Sequence, residues 1–520
     1  MKSSDELFQL IKSLNKHEKR YFILYASRNI LKGSNNYIKL FTALNNQKEY
    51  NEEAIRKSFS KERFIKNLAV TKHYLYNLIL KSLHIYHANI SEDSVIKEQL
   101  HYAEILHRKK LFSQCGKVLS KARNLAIKSE NYLRLIEIHE FEGVQMKATS
   151  YFGKTQEDLD VLFNEENKIF EKYKNIRSYQ NLFSKFNLQT FSLGIIRGSK
   201  ELKKLNTIIN NPLLKSDDKA ISNRAKSLFY NIHFIYSNIK GDLNRSYDST
   251  LDLLFLFESN PEYLRENFSN YLASLYNHLL ACLETKKYDE VHHHLEKLKS
   301  LPQNPTFKKK SYDPNIRVYS HLVELTLYVS TGQFQKGISL INPIEKIIRE
   351  SKGKLRQGFV LTFYFQITNI YIGLGEYRKA LTTINKIINN KDNETNDRED
   401  ILSFAWILNL VIHFELENEN LLEYIIKSTY RFLYKRKRLY QFETLILNFL
   451  KKNTTKFNSH KELIKVFGDF KLQLQKLSGD PFEKRAVEYY FDFISWLESK
   501  IEKRDFADIV KEKAQIFMNK

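Results

Sequence analysis

The segment Ala148–Thr155, ATSYFGKT, has the spacing of a permissive phosphate-binding loop, in which Lys154 would reach phosphate and Thr155 a magnesium ion. That chemistry needs a strand before the loop and glycines that let backbone amides close on the phosphate. Here a helical pattern precedes the loop and Tyr151 and Phe152 stand inside it, so an ordinary turn is expected. His292, His293 and His294 are consecutive. Neighbours on a helix point about 100° apart and cannot converge on one ion, so the three are read as a solvated or partly packed run. Gly373-x-Gly375 lacks the third glycine and the preceding strand of a dinucleotide loop, and is read as a turn. Cys115 and Cys282 fall at inward helical phases, which suits buried structural thiols better than redox or metal chemistry. Carboxylates are plentiful but scattered, and sequence alone fixes no paired-acid or nucleophile–histidine constellation. These readings leave no catalytic residue, no cofactor and no metal ligand, and the chain is expected not to be an enzyme.

Charge points toward binding. A formal charge of +23 favours an anionic partner: an acidic protein surface, nucleic acid or anionic lipid. The densest run is Lys435, Arg436, Lys437 and Arg438, with Lys427 and Arg431 upstream and Lys451, Lys452 and Lys456 downstream. These are the candidate contacts to an anionic partner, although cations near a helix C-terminus are also favoured by the macrodipole. Lys308–Lys310 is read as a solvated loop.

The elements that must carry these residues follow from glycine spacing. Gly153, Gly198, Gly241, Gly332 and Gly375 fall on one register, with steps of 45, 43, 91 and 43 residues. The long step is two units, with Lys286 at the vacant turn; the same step outward reaches Lys110 and Asn418. Eight units of about 44 residues are implied, each with a helix before and after its break, the period of an α-solenoid in which stacking supplies the core. Each break needs a residue at positive φ, which glycine adopts without strain. In YFQITNIYIGLGEYRKALTTINKII, Tyr364, Ile367, Thr368 and Tyr371 form one stripe before Gly375, and Tyr377, Ala380, Ile384 and Ile387 another after it. HLVELTLYVSTGQFQKGISLINPI repeats the scheme around Gly332, and similar patterns surround Lys110 and Lys286.

An aromatic two residues after the turn, a small residue five after it and an apolar residue nine after it resemble the second half of a tetratricopeptide repeat. The match is good around Gly332 and Gly375, fair around Lys110 and Lys286, and poor around Gly153 and Gly198. The unit exceeds the roughly 34 residues of that family, which we read as lengthened helices of about 17 to 19 residues. The resemblance implies a right-handed α-solenoid of antiparallel helical hairpins, acting as a protein-interaction scaffold, and carries over no catalytic residue.

Residues 1–90 do not share the repeat. Short helical patterns and a longer one there suggest an N-terminal helical domain or cap, or a helix-turn-helix variant built from the Asn51–Ser58 helix and the next from about Lys66. Residues 91–440 are then the solenoid and 441–520 C-terminal capping helices, the last opened by Asp480 and Pro481. The start MKSSDELFQL has no signal-peptide pattern and no segment approaches a membrane span, so a cytoplasmic protein is expected. The sequence therefore reads as all-α, with a protein partner, possibly an acidic one, and nucleic acid as the alternative.

Overall fold

The computed structural model describes residues 5–28, 36–89, 91–193, 199–304, 313–351, 353–390, 398–453 and 459–518. Gly198, Lys308–Lys310 and Lys456 lie outside them. The protein is all-α: the described residues form twenty-six α-helices and a few 3₁₀ turns, with no strand among them. The chain divides into two compact units, Met1–Ile169 and Phe170–Lys520.

The first unit opens with α1 (Glu6–Ser13), α2 (Lys16–Arg28), α3 (Asn36–Asn46), α4 (Glu52–Ser58) and α5 (Leu68–Tyr86). Their inward stripes meet in one core containing Ile11, Phe22, Leu40, Phe41, Leu44, Leu75 and Ile79, with the Phe22 and Phe41 rings 4.5 Å apart. Residues 59–67, including a 3₁₀ turn, separate α4 from α5. That connection is longer than the three- or four-residue turn of a helix-turn-helix (roughly). Three helices of 17 residues follow: α6 (Glu92–Arg108), α7 (Phe112–Lys128) and α8 (Tyr132–Ala148). Ser91 and Asn131 cap α6 and α8 by accepting from the amides of Ser94 and Arg134.

The expected hairpin between Gly153 and Gly198 is instead one helix of 38 residues, α9 (Gln156–Leu193), within which the unit boundary falls. Nothing in its sequence interrupts helix: no proline, no glycine and no run of turn formers.

The second unit continues with α10 (Ser199–Ile209), α11 (Asn223–Lys240), α12 (Leu243–Glu258), α13 (Pro261–Glu266), α14 (Phe268–Glu284), α15 (Tyr288–Ser300), α16 (Asp313–Ser330), α17 (Phe334–Glu350), α18 (Gln357–Gly373), α19 (Tyr377–Ile388), α20 (Glu399–Glu415) and α21 (Glu419–Lys435). It ends with α22 (Gln441–Lys452), α23 (His460–Leu477), α24 (Pro481–Glu488), α25 (Phe493–Glu502) and α26 (Phe506–Met518). Each of α14, α16 and α18 packs on the helix that follows it and on the next but one. Ala380, Ile384 and Ile387 are fully buried, as the stripe predicts.

The turns share one closure. The amide after a left-handed residue donates to a carbonyl five residues back: Gln333 to Tyr328, Glu376 to Tyr371, Asp242 to Ser237, Lys287 to Cys282 and Leu111 to Leu106, all within 3.0 Å. Gly241, Gly332, Gly375, Lys110 and Lys286 sit at the left-handed position. Two assignments shift. Asn418 donates its amide to His413, which leaves Glu417 at φ 54°, while the Asn418 side chain lies 3.0 Å from the His413 ring. Ser150 closes α8, since the Tyr151 amide donates to Met146, and Gly153 at φ 72° serves the following loop.

The C-terminal helices reach further than the last hairpin. Phe442, Ile446 and Leu450 of α22 join the core beneath α20 and α21, whereas α24–α26 run back along the turn ends of earlier helices. A Cβ on Gly332 would lie 2.7 Å from both the Ala507 carbonyl oxygen and the Lys511 amide of α26. Only a residue without a side chain permits that approach.

Candidate functional site

In the segment resembling a phosphate loop, Ser150, Tyr151 and Gly153 are left-handed and Phe152 is 90% exposed. Thr155 opens α9 through reciprocal bonds, its hydroxyl accepting from the Asp158 amide at 3.2 Å and its amide donating to the Asp158 carboxylate at 2.9 Å. With α8 before it and a capping box after it, Lys154 lies in a solvated helix start.

The basic run is split by a turn. Lys435 ends α21, Lys437 is left-handed at φ 57° and Arg438 is 8% exposed. Arg436 and Arg438 clamp Glu399 at 3.1 and 2.9 Å, which commits both to the fold. The exposed cations are Lys427, Arg431, Lys435 and Lys437. On α21, Lys427, Arg431 and Lys435 alternate with Tyr424, Tyr430 and Tyr434 on the face opposite buried Leu422, Ile426, Thr429 and Leu433. Tyr424 and Tyr434 are each 67% exposed, and the Tyr430 and Tyr434 rings stack at 5.9 Å.

The returning C-terminal helices meet a row of helix ends by charge as well as by apolar contact. Glu284 and Glu415 are the last residues of α14 and α20, where a carboxylate opposes the helix dipole. Arg485 donates both NH2 bonds to Glu284 at 2.7 and 2.8 Å and its NH1 to Asn238 at 3.1 Å. Glu415 accepts from Trp496 Nε1 at 2.6 Å and pairs with Lys500. Tyr490 stacks on Phe404 at 4.0 Å, donates to Asp400 at 3.1 Å and accepts at its carbonyl from Asn369. Burial, then the neighbouring Asp400 carboxylate, pushes the Tyr490 hydroxyl well above its ordinary range. A cavity of about 680 Å³ remains between this segment and the row, lined in part by Glu284, Lys286, Gln366, Arg485, Tyr489 and Lys513. Glu284 and Arg485 pair with each other there, Lys513 pairs with Glu498, and Lys286 sits over the Phe517 ring.

A second cluster lies where α12, α14 and α15 meet. His278 and Cys282, both fully buried on α14, face Glu290 and His294 on α15. Cys282 Sγ is 3.5 Å from His278 Nε2 and 3.8 Å from a Glu290 oxygen. Donor atoms of His278, Glu290 and His294 lie within 4.8 Å of one another. Burial, then repulsion from His294, lowers His278 to about 4, and burial, then the Glu290 charge, raises the Cys282 thiol to about 12. Consecutive histidines do fail to converge, as expected: His292 and His293 are exposed and only His294 turns inward. Its partners come from another helix. The legible signal was His278-x-x-x-Cys282 followed by Glu290-x-x-x-His294, two one-turn pairs flanking a predicted turn at Lys286.

Comparison with models of known protein families, with curated proteins and with solved structures finds no match to this chain. No helix among the described residues is long and apolar enough to cross a membrane.

Proposed function

We propose that this protein is a non-enzymatic interaction scaffold, a right-handed α-solenoid of tetratricopeptide-like hairpins that docks an acidic protein segment. The observation that carries the reading is the outer face of α21. Tyr424, Lys427, Tyr430, Arg431, Tyr434 and Lys435 interleave rings with cations along one exposed stripe. Arg431, Lys435 and Lys437 meet no carboxylate within ion-pair reach among the described residues. Such a face offers apolar area to an acidic peptide's aromatic or aliphatic side chains and charge to its carboxylates, with tyrosine losing little rotamer freedom on binding. Successive packing of α14, α16, α18 and α20 supports the stacked-hairpin architecture.

The same alternation favours one second reading, single-stranded nucleic acid, whose bases stack on aromatics while cations track the phosphates. The combined variant Lys427→Gln, Arg431→Gln, Lys435→Gln, Lys437→Gln tests both. Affinity for an acidic, aromatic-containing peptide and for a mixed-sequence single-stranded oligonucleotide is measured at several salt concentrations. Peptide binding lost in the variant supports the scaffold. Oligonucleotide binding whose salt slope falls by about 0.7 per removed contact supports the alternative. Unchanged affinity and slope for both ligands would remove this face from the function.

A further inference from the structure

We propose that the pocket between α12, α14 and α15 binds a single transition-metal ion of the Zn²⁺ class, held by His278, Cys282, Glu290 and His294. The helical register brings donor atoms of His278, Glu290 and His294 within 4.8 Å of one another and sets Cys282 Sγ beside His278 and Glu290, just outside that set of three. His278 and Cys282 are one turn apart on α14, Glu290 and His294 one turn apart on α15, and the closure at Lys286 folds the two helices against each other. A tetrahedral zinc with bonds of about 2.3 Å to sulfur and 2.0–2.1 Å to nitrogen separates those two ligands by about 3.6 Å. The observed Cys282–His278 and Cys282–Glu290 distances are 3.5 and 3.8 Å. The set of two imidazoles, one thiolate and one carboxylate suits Zn²⁺ or Co²⁺ better than the all-oxygen shells of Mg²⁺ or Ca²⁺.

The surroundings orient these ligands. Thr250 has one hydroxyl proton, and it donates to the Tyr247 carbonyl at 2.7 Å. Its 2.9 Å contact with His278 Nδ1 is therefore an N–H donated by the ring, which places the lone pair on Nε2, the nitrogen facing Cys282. That is the tautomer a metal requires, fixed by a neighbour in the way metal-bound histidines are fixed. The Glu290 carboxylate is held by the Tyr247 hydroxyl at 2.6 Å and by Lys287 at 3.2 Å. His294 Nδ1 is enclosed and has no hydrogen-bond partner. Native proteins rarely leave such an atom unmet. His278 and Cys282 form a fully buried floor, while Glu290 and His294 are half-exposed and leave the α15 side as an entry path.

Binding breaks the Cys282 S–H bond, forms a sulfur–metal bond and releases that proton to solvent. With Glu290 ionised and both imidazoles neutral, two anionic ligands then neutralise the divalent ion in the buried site. His278, Glu290 and His294 supply three ligands, and a turn of the Cys282 side chain toward His294 closes the shell, the arrangement of a structural centre that staples α14 to α15.

The test uses the full chain, stripped with a chelator and titrated with Co²⁺. The expected result is one equivalent giving intense tetrahedral d–d bands and a thiolate-to-cobalt charge-transfer band. Zn²⁺ then displaces the cobalt and raises the melting temperature. Cys282→Ser should lose the charge-transfer band, and His294→Gln, altered at the half-exposed rim, should weaken cobalt binding at least tenfold while its helical circular dichroism stays intact. Calorimetry in buffers of different ionisation enthalpy should count about one proton released per Zn²⁺ (order of magnitude). A wild-type protein of native helicity that takes up no cobalt, or a spectrum unchanged in His294→Gln, would overturn the proposal. If Cys282→Ser fails to fold, the rim variant and the proton count still decide it.

Discussion

Replacing Gly332 with alanine should damage the protein more than the same change at Gly375, although both glycines close helices at nearly the same φ, 67° and 69°. The left-handed backbone alone costs alanine about 1 kcal/mol at either site. At Gly375 nothing lies within 4 Å of the new Cβ, so that cost is the whole effect. At Gly332 the Cβ would stand 2.7 Å from the Ala507 oxygen and the Lys511 amide, both backbone atoms that can yield only if α26 moves. Overpacking of this kind adds about 1–3 kcal/mol, for a total of about 2–4 kcal/mol. Urea denaturation followed by tryptophan fluorescence suits the comparison, because Trp496 is 1% exposed on the neighbouring α25 and the chain has two tryptophans. Limited proteolysis should also cut α26 earlier in Gly332→Ala than in Gly375→Ala. Equal losses and equal cleavage rates in the two variants would refute the seating of α26 on the α16–α17 turn.

Two further outcomes are expected. Ala380, fully buried on α19 against Ile384 and the α20 face, should not accommodate a ring: Ala380→Phe is expected to cost about 1–3 kcal/mol in the same denaturation, and an unchanged midpoint would contradict the packing of that hairpin. Glu52 accepts from Lys72, Arg56 and Tyr50, each at 2.8 Å, and the Lys72 bond above all holds its carboxyl down at about 2. A depressed folded pKa means stability that is present above the ordinary value of 4.5 and lost as pH falls from there toward 2. Glu52→Gln should remove that part of the acid limb, on the order of 1–2 kcal/mol after solvent screening, with thermal melts between those pH values as the measurement.

Helix was legible throughout because its signal is local. Apolar residues recurring each turn, few prolines, and closures such as Gly332 and Gly375 act within a few residues of chain, so their consequences hold whatever the rest of the molecule does. The register misled where a second residue could do the same work: Ser150 rather than Gly153 closes α8, and Glu417 rather than Asn418 closes α20. It also implied two helices of about 17 to 19 residues between Gly153 and Gly198, where nothing interrupts the single helix α9. The inward phase of Cys282 and of the Ala380 stripe was likewise readable, being a property of one helix at a time.

What a residue meets across space was decided by tertiary structure alone. Four consecutive cations look alike in sequence, yet Arg436 and Arg438 turn to Glu399 while Lys435 and Lys437 stay in solvent, because a left-handed residue redirects the chain between them. Arg485 finds Glu284 across 201 residues, and α26 finds the Gly332 turn, through a return of the C-terminal helices that no local pattern encodes. The facing of His278 and Cys282 by Glu290 and His294 needed both kinds of information. One-turn spacing on each helix was written in the chain, but the rotation of α14 against α15 that brings the pairs together depends on how α12, α14 and α15 pack, and packing is a sum of contacts distant in sequence.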